Sequence, residues 1–133
     1  MPLLRVLVVD DEKALLAILQ RALNLMGCDM VGASTLRDGL HAALNQDFDI
    51  ILLDNHFPEG HCDAIVPSIV ASKPDTPIVV ITANPSDAHV TNAMRHGVRQ
   101  VIGKPFTLDQ LAGALERFTG CSIRPPQVIA GVA

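Results

Sequence analysis

Polar residues that could handle a phosphoryl group follow the apolar segments of this chain. They are Asp10 and Asp11, Asp54, Thr82 and Lys104. A carboxylate such as Asp54 can attack phosphorus to give an acyl phosphate. A lysine ammonium and a threonine hydroxyl can bind phosphoryl oxygens, and phosphoryl transfer is catalysed mainly by positioning and charge neutralisation. These residue types favour phosphoryl chemistry at Asp54, provided that the fold brings all five together.

Three of these residues are carboxylates, and crowding them would raise their pKa values unless a cation neutralised them. Asp10, Asp11 and Asp54 offer oxygen ligands without any His or Cys, which indicates a hard ion. Mg²⁺ keeps several waters, accepts phosphate as a further ligand and suits an open site better than Ca²⁺ does. The sequence therefore predicts a Mg²⁺ site.

The apolar segments predict the strands that would position these residues. A short apolar run between polar or turn residues is typical of a strand buried on both faces, as in a parallel sheet. The clearest such run leads directly into Asp54. The predicted strands are Leu3 to Val9, Asp29 to Ala33, Phe48 to Leu53, Ile78 to Ile81 and the more polar Val98 to Ile102.

Segments with a helical period of apolar residues follow each strand. Proline is tolerated only in the first turn of a helix, so Pro67 places the start of the third helix no earlier than about Asp63. The other helices are predicted from Lys13 up to Gly27, from Ser34 or Thr35 through Leu44, from Ser86 to Arg95, and from a Thr107/Gln110 capping box through Phe118.

Strands and helices that alternate in this way imply right-handed crossovers and a single parallel sheet with helices on both faces. The predicted fold class is therefore a doubly wound, five-stranded α/β domain. In such sheets ligands bind at the carboxyl ends of the strands. The candidate residues stand at those ends.

Composition limits the class of protein. The 133 residues suffice for one domain that buries roughly two thirds of its unfolded surface. Although 49% of the residues are hydrophobic, their runs are too short to cross a bilayer, and no signal peptide is recognisable, so we expect a cytoplasmic protein without membrane contact. A net charge of -4 without basic clusters argues against nucleic-acid binding. Three cysteines with unrelated spacing predict neither disulfides nor a zinc site.

Four motifs follow one another along the chain: VVDDE at 8–12, LLDNHFPEG at 52–60, ITA at 81–83 and GKPF at 103–106. In this order and at these separations they resemble the receiver domain of two-component response regulators. The resemblance covers about residues 3–118 and implies the flavodoxin-like (βα)5 fold with strand order 2-1-3-4-5. We therefore predict a receiver domain at 1–118 and a C-terminal tail, or the start of a linker, at 119–133.

The resemblance also implies a role for each polar residue. Asp54 matches the phosphoacceptor, which takes its phosphoryl group from a phosphohistidine of a sensor histidine kinase or a phosphotransfer protein. Lys104 would pair with a phosphate oxygen, and its bond to Pro105 is expected to be cis. Thr82 would hydrogen-bond the phosphoryl group beside the main-chain amide of Ala83.

For the metal, the resemblance implies Asp11 as a direct Mg²⁺ ligand and Asp10 as a ligand acting through water. Asp54 and the main-chain carbonyl of His56 would complete the protein ligands. Such a protein is a switch rather than an enzyme, since it catalyses only its own phosphorylation and dephosphorylation. The added charge of about -1.5 to -2 would bias a face made of the fourth helix, fifth strand and fifth helix toward a downstream partner.

Three places depart from the family pattern. Val101 stands where an aromatic residue often lies three positions before the lysine, so a rotating aromatic ring cannot be the readout. His61 and Cys62 replace the usual Asp or Ser and Gly, which leaves the shape of that loop open. Arg99 and Gln100 replace an acidic pair, so the charged dimer face of the winged-helix subfamily is not supported.

Two other functions stay open on the sequence. A constitutive docking module would keep the fold without the reaction, although all five functional positions are intact. A Mg²⁺-dependent phosphatase of the haloacid-dehalogenase type also uses a strand-end Asp with Thr and Lys, but its second Asp corresponds to His56 here. The sequence specifies neither the kinase nor the effector, and the small Gly113 and Ala114 would permit a close-packed homodimer.

Overall fold

A five-stranded parallel sheet organises the protein, whose computed structural model describes residues 3–124. The strand order is β2-β1-β3-β4-β5, which confirms the predicted fold class and strand order. The strands are β1 (Leu4–Val9), β2 (Cys28–Ala33), β3 (Ile50–Asp54), β4 (Ile78–Thr82) and β5 (Gln100–Gly103).

Helices cover both faces of the sheet, as predicted. One hydrophobic cluster joins the sheet to the first and last helices, and a second joins its opposite face to the three helices between them. The helices are α1 (Lys13–Leu25), α2 (Leu36–Asn45), α3 (Val66–Ser72), α4 (Ala88–Arg95) and α5 (Leu108–Thr119).

Burial on both faces explains why the interior positions of the central strands are apolar. In β1, Val6 and Val8 belong to one cluster and Leu7 and Val9 to the other, and all four are at most 2% exposed. Each such side chain contributes about 1.5–3 kcal/mol by leaving water. A polar residue in the middle of β1 would therefore face apolar contacts whichever way it pointed.

Helix caps decide two of the helix starts. The fourth helix begins at Ala88 rather than at the predicted Ser86, because the carboxylate of Asp87 accepts the main-chain N–H of His89 at 2.8 Å and so caps it. The predicted capping box at the start of α5 is present.

The connection from β3 to α3, residues 55–65, contains a small hairpin. Two-residue strands, His56–Phe57 and Gly60–His61, pair antiparallel, and a 3₁₀ turn at Cys62–Ala64 follows. The helix α3 then begins at Val66 with Pro67 in its first turn, which agrees with the start predicted from the proline. This hairpin lies directly after Asp54.

The chain beyond α5 turns at Gly120, which adopts a left-handed conformation with φ of 74°. Ile123 is 8% exposed, and its N–H donates to Oε1 of Glu116 at 2.7 Å. The rest of the predicted tail or linker, residues 125–133, lies outside the described residues.

Candidate functional site

The strand ends place the candidate residues at one edge of the sheet. Asp10 follows β1 and is 3% exposed, Asp54 ends β3 and is 8% exposed, and Thr82 ends β4 and is 4% exposed. Lys104 follows β5 with a side chain that is 12% exposed. Asp11 is the exposed member of the group. They converge because parallel strands present their carboxyl ends on the same edge.

The ammonium of Lys104 lies among the acidic residues. Its Nζ is 3.1 Å from Oδ2 of Asp10, 3.6 Å from Oδ2 of Asp54 and 3.8 Å from Oε1 of Glu12. Burial by itself lowers the pKa of Lys104, but the charges of Asp54 and Asp10 outweigh it and raise the pKa. Lys104 is therefore cationic, yet one ammonium does not balance the carboxylates around it.

Asp54 is the carboxyl group most affected by this imbalance. Burial raises the pKa of Asp54 to about 6, and the charge of Asp10 adds to the effect. Lys104 and the main-chain N–H of Asn55, which donates to Oδ1 of Asp54 at 2.8 Å, oppose the rise only in part. Without further positive charge, Asp54 thus holds its proton more tightly than an ordinary aspartate.

The donor set of the edge fits a hard divalent cation. Carboxylate oxygens of Asp10, Asp11 and Asp54 all lie within 4.8 Å of one another. Two direct Mg²⁺ ligands at about 2.0–2.1 Å from the ion lie at most about 4.2 Å apart, so a small side-chain movement or a bridging water would let this cluster hold the ion. The exposure of Asp11 leaves one side of the cluster open to water, which Mg²⁺ retains as ligands.

A cleft of about 500 Å³ opens over Asp54, lined also by Thr82, Ala83, Asn84 and Lys104. The hydroxyl oxygen of Thr82 accepts the N–H of Asn84 at 3.1 Å. Because that bond uses the oxygen as acceptor, the hydroxyl proton of Thr82 stays available for a ligand. The Lys104–Pro105 peptide bond is cis, as the resemblance implied.

Asn55 is a buried polar residue to which the sequence assigned no role. It is 1% exposed, and its Oδ1 accepts the thiol of Cys62 at 3.2 Å while its main-chain carbonyl accepts the N–H of Cys62 at 3.0 Å. Asn55 thus ties the hairpin to the end of β3. An amide directly after a buried aspartate was the only signal available in the sequence.

The substituted positions His61 and Cys62 do not disrupt the hairpin. Cys62 is fully buried, and burial followed by the charge of Asp63 raises the pKa of its thiol to about 12, so this thiol is unreactive. Glu59, which the sequence also left without a role, accepts the N–H of Leu36 at 2.9 Å and so docks the hairpin against the start of α2.

Comparison with known families identifies the family to which this fold belongs. The family model of the response regulator receiver domain matches residues 6–116. The chain therefore belongs to the response regulator receiver domain family, as its four motifs predicted.

One curated relative is transcription factor SKN7 of Chaetomium thermophilum. It is 31% identical over 128 residues, which are 92% of this chain and 16% of the relative. The chain thus spans about a sixth of the length of this relative. The similarity covers only that part of the relative, and the activities of the longer protein do not transfer with it.

Two solved structures are similar over most of the chain. A response regulator from Burkholderia pseudomallei with a phosphorylated aspartic acid, a calcium ion and citrate has a TM-score of 0.78 at 25% identity, over 84% of this chain and 66% of that chain. The beryllofluoride-activated receiver domain dimer of NtrC4 has a TM-score of 0.79 at 28% identity, over 87% of this chain and 96% of that chain.

The lengths of the helices bear on the prediction that the chain does not cross a membrane. Within residues 3–124, no helix combines the length and the apolar character that crossing a bilayer requires.

Proposed function

We propose that the chain is a phosphorylation-controlled switch of two-component signalling, in which Asp54 accepts a phosphoryl group from a phosphohistidine of a sensor histidine kinase or phosphotransfer protein. The observation that carries the proposal is the buried carboxylate of Asp54 beside the ammonium of Lys104, at 3.6 Å, in an acidic cluster open to a cleft. We infer a receiver domain at 1–118, with 119–133 as a tail or the start of a linker.

In the transfer, a carboxylate oxygen of Asp54 attacks phosphorus, and the phosphorus–nitrogen bond of the phosphohistidine breaks. Its electron pair returns to the departing imidazole, which leaves an acyl phosphate on Asp54. Lys104 holds the attacking carboxylate and neutralises a phosphoryl oxygen. The Thr82 hydroxyl and the amide N–H of Ala83, both lining the cleft, donate to the remaining phosphoryl oxygens.

Asp11 would bind Mg²⁺ directly, Asp10 through water, and Asp54 and the main-chain carbonyl of His56 would complete the protein ligands. Bound there, the ion supplies the positive charge that the cluster lacks and that phosphoryl oxygens require. The same charge favours the ionised form of Asp54, which is the nucleophilic form.

The output follows from the charge of about -1.5 to -2 that phosphorylation adds. This charge biases the face formed by α4, β5 and α5 toward binding a downstream effector or a second copy of the chain. On this face β5 carries the half-buried Val101, which has no aromatic ring that could rotate between two positions. The signal therefore reaches the face through movements of Thr82 and of the start of α4.

The experiment is intact-protein mass spectrometry after incubation with acetyl phosphate, with and without Mg²⁺. The expected result is a single Mg²⁺-dependent phosphoryl adduct that is lost in Asp54→Asn and retained in Asp49→Asn, a matched aspartate at the opposite edge of the sheet. A folded wild-type protein that binds Mg²⁺ and gains no adduct would instead be a constitutive docking module. Turnover of small phosphate esters would indicate a phosphatase.

A further inference from the structure

Three histidines lie in contact at the margin of the cleft. His56 and His61 belong to the hairpin after β3, and His89 belongs to the first turn of α4. The rings of His56 and His61 meet edge to face with centroids 4.6 Å apart, and the rings of His61 and His89 stack at 3.7 Å and 9°. These residues, the histidine cluster, are three of the five histidines in the chain.

A carboxylate orients one ring of the cluster. Nδ1 of His89 lies 3.0 and 3.1 Å from the two carboxylate oxygens of Asp63, and the amide of Asn92 donates to Oδ2 of Asp63 at 3.0 Å. A carboxylate that accepts from one ring nitrogen fixes the tautomer and leaves the other nitrogen with a free lone pair. Metal-binding histidines are typically held in this way.

The charges around the cluster also favour a cation. Asp63 is the direct partner of His89. A second carboxylate, Asp87, also lies close to the cluster: the main-chain N–H of His89, the side chain of Asn55 and then the rings of His89 and His61 lower its pKa. The His89 side chain is 47% exposed and His56 is also exposed, so an ion can reach the rings from solvent.

We propose that the histidine cluster binds a divalent transition-metal ion of the class that prefers imidazole, with Zn²⁺ as its reference member. His56, His61 and His89 would be the ligands and Asp63 the hydrogen-bonded partner of His89. Imidazole nitrogen suits Zn²⁺, Ni²⁺ and Cu²⁺, whereas Mg²⁺ takes oxygen ligands. The site therefore differs in ligand chemistry from the acidic cluster, to which His56 would offer only its main-chain carbonyl, and it does not rest on phosphoryl transfer at Asp54.

Binding requires one change of side-chain conformation. A metal ion lies near the plane of each imidazole that ligates it, so the parallel rings of His61 and His89 cannot bind one ion while they are stacked. The half-buried His61 side chain would have to rotate out of the stack to bring the three imidazole nitrogens around one ion. Three imidazoles and a water then complete a four-coordinate ion, which joins the hairpin to α4.

The test is isothermal titration of the tag-free protein with ZnCl₂ at neutral pH. With the acidic cluster occupied by excess MgCl₂, we expect one Zn²⁺ site whose affinity falls by a larger factor in His61→Ala and in His89→Gln than in Asp63→Asn, for which about a tenfold loss is expected. His41→Ala removes an exposed histidine on α2 and serves as the matched control. Thermal melts in chelator establish that each variant is folded.

A second measurement, by NMR, identifies the ligand atoms. In long-range ¹H–¹⁵N spectra, Zn²⁺ should shift the imidazole nitrogens of His56, His61 and His89 and leave those of His41 and His96 unchanged. Unchanged Zn²⁺ affinity in folded His61→Ala and His89→Gln proteins would overturn the proposal. Loss of the site in Asp11→Asn, with the histidine variants binding normally, would overturn it too by placing the ion in the acidic cluster.

Discussion

At the amino edge of the sheet Arg5 lies among acidic residues, much as Lys104 does at the carboxyl edge. Its main-chain N–H donates to Oδ2 of Asp49 at 2.7 Å, and its Nε is 3.5 Å from Oδ2 of Asp29. The Arg5 and Asp29 side chains are 37% and 53% exposed, whereas those of Lys104 and Asp54 are 12% and 10% exposed. Basic and acidic side chains thus pair at both edges, but the pairs are exposed to solvent at the amino edge and largely buried at the carboxyl edge.

The difference shows that burial and charge balance, rather than residue type, make a reactive edge. Water screens the charges at the amino edge, so the ion pairs there contribute little to the stability of the fold and do not require a further counter-ion. At the carboxyl edge several partly desolvated carboxylates share one ammonium, and burial, together with the negative charge of Asp10, raises the pKa of Asp54 to about 6. That edge therefore attracts a cation, which the proposed phosphoryl transfer to Asp54 requires.

The largest effect is expected from Lys104→Ala. Removing the ammonium leaves the buried carboxylates of Asp10 and Asp54 without their nearest positive charge, so the metal-free protein should lose about 2–4 kcal/mol of unfolding free energy at pH 7. Urea denaturation measures the loss. The control Lys73→Ala removes a lysine whose partner, Asp47, is exposed at the amino edge, and equal losses in the two variants would contradict the contrast between the edges.

Mg²⁺ should stabilise the carboxyl edge selectively. A ligand that binds only the folded state adds RT ln(1 + [L]/Kd), or about 2.7 kcal/mol at a hundred times its Kd. Thermal melts across a Mg²⁺ titration should therefore rise for the wild type and for Asp49→Asn but hardly move for Asp11→Asn. A rise in Asp11→Asn as large as that in the wild type would show that the ion binds elsewhere.

Asp54→Asn should make the metal-free protein more stable at pH 7. The pKa of Asp54 is raised from 3.8 to about 6 in the fold, so between these pH values the folded state keeps a proton that the unfolded chain has released, and at pH 7 the fold carries the cost of the buried ionised carboxylate. The associated stability is present below about pH 4 and is lost as pH rises through 6. Asparagine has no proton to lose, and we expect a gain of about 1–2 kcal/mol after allowance for solvent screening.

The check is the unfolding free energy of wild type and Asp54→Asn between pH 4 and pH 7.5 in chelator. The two curves should diverge as pH rises, with the variant above. Parallel curves would mean that Asp54 titrates normally in the fold.

The fold could be predicted from the sequence because its short apolar runs indicate strands that are buried on both faces. A strand buried on both faces must be apolar throughout, so runs such as Ile50 to Leu53 mark the central strands, and the polar residue after each run marks the shared edge. The capping box at Thr107 and the restriction from Pro67 are equally local signals, and the structure has both as predicted.

Interactions between distant segments were not predictable in the same way. The helix α4 begins at Ala88 rather than at the predicted Ser86 because Asp87 caps it; Ser86 and Asp87 are both residues that favour helix starts, so the sequence did not fix the first residue. The bonds of Asn55 to Cys62 and of Glu59 to α2, like the stacking of His61 on His89, depend on how the hairpin folds over the sheet. No periodicity in the sequence encodes those contacts.

The most direct test of the contrast between the edges is the titration of individual aspartates by ¹³C NMR of their carboxyl carbons, in chelator and in Mg²⁺. In chelator, Asp54 should titrate near pH 6, while Asp47 at the amino edge should titrate below its usual pKa because Lys73 donates a hydrogen bond to it. Mg²⁺ should lower the pKa of Asp54 and leave Asp47 unchanged. An Asp54 that titrates near 4 in chelator, or that does not respond to Mg²⁺, would contradict the view that unbalanced buried charge prepares this edge for phosphoryl transfer.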